Sequence, residues 1–331
     1  MLTGKYCEYL PLYRQSEIFA CQGIELSCAL LSNWVDACCQ LMTPLNDALY
    51  SYVMNTRKVH TDDTPVKVLA PGRKKAKTRY IWTYVRDDRN AGSPEPSAVW
   101  FAYSPDRQGK HPVQHLRPFR SILQADAFSG YDRLFSAGRE GGALTEVACR
   151  VHARRKIHDV YISSKSATAE EALKRISELY AIEDEIRGLP ESERLAVRQQ
   201  RSKALLTSLH EWMVEKNCTM SKKSRLGEAF SYVLNQWDAL CYYSDDGLAE
   251  VDNNTAERAL RAVCLGKKNY VFFGSDHGGE RGALLYGLIG TCRLNGIDPE
   301  AYLRHILSVL PEWPSNRVDE LLPWNVVLTN K

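Results

Sequence analysis

Three stretches decide the reading of this chain: VHTDDTPVKVL (59–69), RYIWTYVRD (79–87) and AVWFAYSPD (98–106). Each is rich in β-branched and aromatic residues, and turn-forming segments, APGRKK (70–75) and NAGSPEPS (90–97), join them. The pattern predicts three successive antiparallel strands. A helix-compatible stretch, HPVQHLRPFRSI (111–122), leads into LQADAFSGY (123–131), a fourth strand ending on a carboxylate. TEVACRVH (145–152) is a candidate fifth strand.

Strand-strand-strand-helix-strand-helix-strand is the order of a ribonuclease-H-like mixed sheet, an α/β layer fold. Outward from it the chain reads as helical. Residues 1–55 form a helical N-terminal segment: a short helix at Gln15–Gln22 meets Gly23, and a second starts after Ser27, a candidate N-cap. Leu30, Leu31, Trp34, Val35, Cys38 and Leu41 would form its apolar face. The pair fits a helix-turn-helix or, more simply, a helical hairpin packed on the core. Residues 56–152 hold the first part of the ribonuclease-H-like domain. Residues 153–250 carry almost no strand signal and read as a helical insertion. Thr168-x-x-Glu171 suggests a capping box, Gly188 a helix stop, Pro190 a helix start, and Leu226, Phe230, Val233, Trp237 and Leu240 a helical stripe. Residues 251–331 would close that domain with a helix at TAERALRAV, a strand at NYVFF and two C-terminal helices.

With 331 residues the chain has room for roughly two domains. Its 44% hydrophobic and 25% charged content is that of a globular protein. No apolar run approaches the ~18 residues of a membrane span, and the N-terminus lacks a basic-then-apolar export signal. A cytoplasmic protein follows, in which most of the ten cysteines would be reduced and buried. Lys+Arg 43 against Asp+Glu 40 gives a net +3, so any argument for nucleic acid must come from local clustering.

Three acids stand out by placement: Asp62 in the first strand, Asp126 in the fourth, and Glu257 in the first turn of the helix after Asn253-Asn254. Taken singly, each is most simply a solvated group or a cap. In a ribonuclease-H-like sheet the first and fourth strands are neighbours, which would bring Asp62 and Asp126 close. Carboxylates so arranged suit Mg²⁺ or Mn²⁺, and two such ions can drive phosphoryl transfer. Asp63 competes with Asp62, because successive strand residues face opposite sides; strand physics does not choose between them.

The stretches TDDTPVKVLAPG, YIWTYVRDDRNAGSPEPSAVWFAYSPDR, LQADAFSGYDRL, ACRVHARRK and DNNTAERALRAVCLGKKNYVFFGSDHGGERGALLYGLIGTCRLNGIDPEAYLRHIL, followed by DELLPWN, resemble transposases of the insertion sequence 66 family. That resemblance implies a DDE-type DNA transposase using Mg²⁺ or Mn²⁺, with two ions. Asp62, Asp126 and Glu257 match its three acids, and the separation of 131 positions from the second to the third accommodates its helical insertion. It implies transposon ends and target DNA as partners, a homodimer or higher oligomer on DNA, and accessory proteins of the same element. Cys149-x2-His152 resembles a signature found after the second acid in several DDE superfamilies. Alone it is half a zinc ligand set, and a packing or hydrogen-bonding pair is the simpler reading. Two departures stand out. The family's further N-terminal region, with its helix-turn-helix and zinc-finger-like element, does not precede LPLYRQSEIF, so a truncated copy, a fragment or an alternative start is expected. The family's Asp-Glu-Thr is Asp62-Asp63-Thr64 here.

Basic residues cluster at Arg73, Lys74, Lys75, Lys77 and Arg79, at Arg150, Arg154, Arg155 and Lys156, and at Arg258, Arg261, Lys267 and Lys268. The last group flanks the third acid and, with Arg154 and Arg155, is expected to grip DNA phosphates. His60, His111, His115 and His277 read as structural or exposed, and Gly278-Gly279 is a weak phosphate-loop signal. A hydrolysis-only nuclease on the same sheet and a catalytically silent DNA-binding remnant are the alternatives to a transposase.

Overall fold

The computed structural model describes residues 1–69, 75–221 and 223–328. In chain order, α1 (Leu2–Tyr6), α2 (Leu12–Cys21) and α3 (Cys28–Met54) precede β1 (Lys58–Val68), β2 (Lys77–Arg86) and β3 (Ala98–Ser104). A short helix, α4 (Lys110–His115), leads to β4 (Ile122–Ala125) and β5 (Thr145–Ala148). Then come α5 (Arg150–Ser164), α6 (Ala167–Glu185), α7 (Glu191–Val197), a π-helical turn at Arg198–Ser202, α8 (Lys203–Thr219), α9 (Arg225–Asn235) and α10 (Trp237–Cys241). The chain continues through α11 (Asn254–Tyr270), α12 (Asp276–Leu294) and α13 (Pro299–Val309). The fold is mixed α/β and mostly helical, with five strands of mixed sense. No helix among the described residues is long and apolar enough to cross a membrane.

Two compact units are present. The first comprises residues 1–87, 96–119 and 255–331. In it β1 pairs antiparallel with β2, and β2 with β3, as the alternation predicts. Asp62 lies opposite Thr83, and Asp63 opposite Trp82. Thr291 on α12 accepts the Val99 N–H at 3.1 Å and donates to the Val99 carbonyl at 3.2 Å, so a helical side chain satisfies β3 groups that β2 leaves over. Gly279 permits a similarly close approach: a Cβ there would stand 2.3 Å from the Tyr103 ring. The Gly278-Gly279 pair therefore serves packing at Gly279, while Gly278 donates its N–H to the N-cap Ser275. Ser27 does cap α3, accepting from the Leu30 N–H. The buried face of α3, however, is Leu31, Val35, Cys39, Met42, Leu45 and Leu49, leaving Leu30 and Trp34 exposed. The expected stripe was rotated because both leucines of the pair 30–31 fitted the period and only packing could choose between them.

The expected strand at NYVFF is not formed. Tyr270 is instead the buried last residue of α11, and Phe273 makes a single parallel bridge to Val68. Between them Val271 adopts φ +63, and the Phe272 N–H reaches back to the Tyr270 carbonyl at 2.7 Å. A β-branched residue with positive φ in so tight a turn is strained. Val271→Gly should therefore stabilise the protein by about 1 kcal/mol, the left-handed penalty less the entropy glycine adds to the unfolded chain. A thermal melt reads this as a rise of a few degrees, and a fall would show that the exposed valine side chain matters more than its backbone.

The second unit comprises residues 88–95 and 120–254. Here β4 and β5 run parallel, and α5, α6, α8 and α9 bury Ile157, Ile176, Leu179, Met213 and Phe230 in one core. The expected fifth strand stops at Ala148; Cys149 is the N-cap of α5, so Arg150 to His152 are helical. The N-cap of α6 is Ser166, which accepts from Ala169, not Thr168. Both positions offered a hydroxyl, and the Glu171 spacing favoured the wrong one. Gly188, with φ +83, lies two residues beyond Ile186, the C-cap of α6, and Pro190 occupies the N-cap position of α7. The predicted single stripe of 226–240 is split between α9 and α10.

A buried ionic network stiffens this unit. Arg198, fully buried at the head of the π turn, donates to both Glu183 oxygens (2.8 and 2.5 Å) and to the carbonyls of Tyr243, Asp246 and Ala249. Arg194 donates to Glu250 at 3.1 Å. Arg194 and Arg198 thereby hold the loop that leads to Asp252-Asn253-Asn254.

Candidate active site

The two neighbouring acids of β1 have different surroundings. The Asp63 side chain is 2% exposed, and both its oxygens accept from Arg107 at 2.8–3.0 Å. Its negative charge is committed to that fork. Asp62 faces the other side of the strand and accepts the Asp63 N–H at 2.7 Å. Thr64 shares the face of Asp62, two residues on, and its hydroxyl meets Lys267 Nζ at 2.7 Å and Cys264 Sγ at 3.6 Å. The side of β1 bearing Asp62 is thus the side that α11 covers.

The sense of α11 follows from the same contacts. Cys264 and Lys267 meet Thr64 and Pro65, and Phe273, past the helix end, bonds to Lys67 and Leu69. Helix and strand therefore advance together. Glu257 precedes Cys264 by seven residues, two turns along the same stripe and about 10 Å back. Asp62 lies about 7 Å back along the strand from Thr64. Both acids are displaced toward the same end of the same face.

In the other unit, Asp126 directly follows the last residue of β4. It is half-buried, and its Oδ1 is shielded from solvent with no hydrogen-bond partner among the described residues. Two residues earlier, Gln124 is fully buried and bonds to the backbone of Glu250 and Asp252. Cys149, also buried, accepts the Asn253 N–H on its sulfur at 3.2 Å. Burial pushes the Cys149 thiol up to about 11, while the Asn253 N–H pulls the other way. His152 lies in the first turn of α5, three residues on. Gln124 and Arg107 were not singled out from the sequence: a glutamine inside an apolar strand and an arginine after one carry no motif.

The basic residues divide. Arg258, Arg261 and Lys268 are exposed on α11, and Arg155 is exposed and Arg154 half-buried on α5. Lys267 spends its ammonium on Thr64 and on the Pro65 carbonyl at 3.0 Å. Arg150 is buried and donates to the Leu240 carbonyl, so it serves the core. Of the first cluster, Arg73 and Lys74 lie outside the described residues, and Arg79 pairs with Asp276 at 2.9 Å. His111 bonds to Asp106, His115 to the Tyr84 hydroxyl and the exposed His277 to Glu280. His60 is buried. All ten cysteines are free, but only Cys39, Cys149 and Cys292 are buried; the expectation of general burial does not hold.

Residues 1–281 match the family model described as Transposase IS66 family, and residues 287–324 match the IS66 C-terminal element. The chain belongs to the IS66 transposase family. It is similar to three uncharacterized proteins of Sinorhizobium fredii, matching 98% of its own length in each case. These are y4hP (39% identical over 336 residues), y4qI (35% over 327) and y4jD (35% over 329). The chain spans 60%, 61% and 64% of their respective lengths.

Proposed function

We propose that this chain carries the catalytic part of a DDE-type DNA transposase on a ribonuclease-H-like sheet, with Asp62, Asp126 and Glu257 as its acids. The observation that carries the reading is the match to the transposase family over residues 1–281. Hard carboxylate oxygens are the donors Mg²⁺ and Mn²⁺ prefer, and an Asp126 Oδ1 shielded from solvent, with no hydrogen-bond partner among the described residues, suits a cation. Asp62, Asp126 and Glu257 would hold the divalent ions, two in number. When bound, those ions would activate the attacking oxygen and stabilise the leaving one.

In the first step water attacks a phosphodiester at the element end; the P–O3′ bond breaks, leaving a 3′-hydroxyl on the element and a 5′-phosphate on the flank. In the second that hydroxyl attacks a target phosphodiester and displaces the target's 3′ oxygen. Exposed Arg258, Arg261, Lys268 and Arg155, with half-buried Arg154, would hold phosphates. Cys149 and His152 belong to the frame around the acids, and a dimer or higher oligomer on DNA, accessory proteins and a cytoplasmic location form part of the same proposal.

The deciding experiment pairs the adjacent acids. Asp62→Asn should lower Mg²⁺-dependent strand cleavage at least about 10³-fold, about 4 kcal/mol of transition-state stabilisation. Asp63→Asn should keep cleavage within about tenfold and lower the melting temperature, since it halves the Arg107 fork. The reverse ranking would overturn the assignment of the first acid. Products joined to a plasmid target mark a transposase, and free ends alone a nuclease.

Binding supplies a second test. Lysines and arginines that grip phosphates confer salt dependence without sequence preference. For residues 1–331, three to five such contacts predict a log–log salt slope between about −3 and −4.5. A competition titration of an element end against random duplex should show little preference. A preference of ~10³ or more would mean that α2 and α3 read bases.

A further inference from the structure

Resting on the reading above, we infer that Gln124 is a positioning residue, setting the third acid, Glu257, through the segment that precedes it. Gln124 is fully buried in β4, two residues before Asp126. Its amide nitrogen donates to the carbonyls of Glu250 (2.6 Å) and Asp252 (2.9 Å), and its oxygen accepts the Glu250 N–H (3.0 Å). One side chain thus occupies both backbone groups of Glu250, as a neighbouring strand would.

The next residues are held as well. The Val251 carbonyl accepts from the Arg150 N–H at 3.1 Å, and the Asn253 N–H donates to Cys149 Sγ at 3.2 Å. The Asp252 carboxylate then accepts the N–H and the side-chain amide of Asn254, at 3.0 and 2.8 Å. Asn254 opens α11, and Glu257 follows within one turn. A buried primary amide is costly unless every group is satisfied, and here each bond goes to the segment that leads into Asn254, the first residue of the third acid's helix. An apolar residue could fill the same volume but could not carry that register.

The test measures Mn²⁺ binding to the full chain by electron paramagnetic resonance for wild type, Gln124→Glu, Glu257→Gln and the double variant. Gln124→Glu keeps the shape and turns an acceptor toward two carbonyls. Each single change should weaken Mn²⁺ binding at least tenfold, and the double should be no more than about threefold worse than the weaker single, because neighbouring groups acting through one another are not additive. Gln124→Met, which introduces no charge, should speed hydrogen exchange at the Glu250 amide at least a hundredfold while Leu123 stays protected; it also serves if the Glu variant fails to fold. Unchanged Mn²⁺ affinity in both Gln124 variants, or fully additive losses, would overturn the positioning role alone. Absence of Mn²⁺ binding by the wild type, or no effect of Glu257→Gln, would remove the metal-site reading and this inference with it.

Discussion

Asp126→Asn should abolish Mg²⁺-dependent cleavage while leaving DNA binding within about twofold of wild type. Asparagine keeps the size of the side chain at the end of β4 and much of its hydrogen bonding, but removes one ligand charge. The aspartate oxygen it alters is shielded from solvent and has no hydrogen-bond partner among the described residues, so a fold-maintaining contact is not what the substitution removes. Loss of at least 10³-fold in single-turnover rate corresponds to about 4 kcal/mol. The exposed cations on α5 and α11 are untouched, so the salt slope of binding should stay the same. Replacing Mg²⁺ by Mn²⁺ should recover part of the rate, since Mn²⁺ accepts nitrogen and neutral oxygen ligands more readily. Cleavage by the asparagine variant at wild-type rate would sink the metal mechanism for this protein, whereas joint loss of cleavage and binding would point to misfolding.

How much of this was legible depended on whether a local pattern or a distant partner decided each feature. The strands from Lys58 to Ser104 announced themselves through β-branched and aromatic alternation between turn residues, and their register follows that alternation. The helices between Arg150 and Cys241 were equally plain from the loss of that pattern. Alternation also says that Asp62 and Asp63 face opposite ways, yet it cannot say which face α11 covers or that Arg107 waits on the other. NYVFF looked like a strand because Tyr, Val and Phe favour strands; tertiary burial of Tyr270 extended the helix instead, at the cost of a left-handed Val271. The capping hydroxyl of α6 and the buried face of α3 were each missed by one or two residues, the usual scale on which packing overrides a local signal. Gln124 was invisible because its role lies in a segment 126 positions away.

The second large effect concerns stability rather than chemistry. Arg198→Met should cost 3–5 kcal/mol, roughly what removing one partner of a buried ion pair costs. The side chain is fully buried and makes five hydrogen bonds, two to Glu183 and three to the carbonyls of Tyr243, Asp246 and Ala249. Methionine fills much of the volume but leaves Glu183, among the described residues, with Arg194 at 3.7 Å, and strands three carbonyls in the core. Lysine would keep the charge without the planar fork and cannot reach carboxylate and carbonyls together, so it should be nearly as damaging. Arg198→Met with Glu183→Met removes the orphaned charge and should recover part of the loss, because an apolar pair can replace a buried ionic one. Urea unfolding of the second unit's helices, followed by circular dichroism, would rank the three variants. A double variant less stable than Arg198→Met alone would locate the energy in the carbonyl clamp instead of the ion pair. The clamp on residues 243–249 would then be the main link by which Arg198 steadies the chain ahead of Asn254.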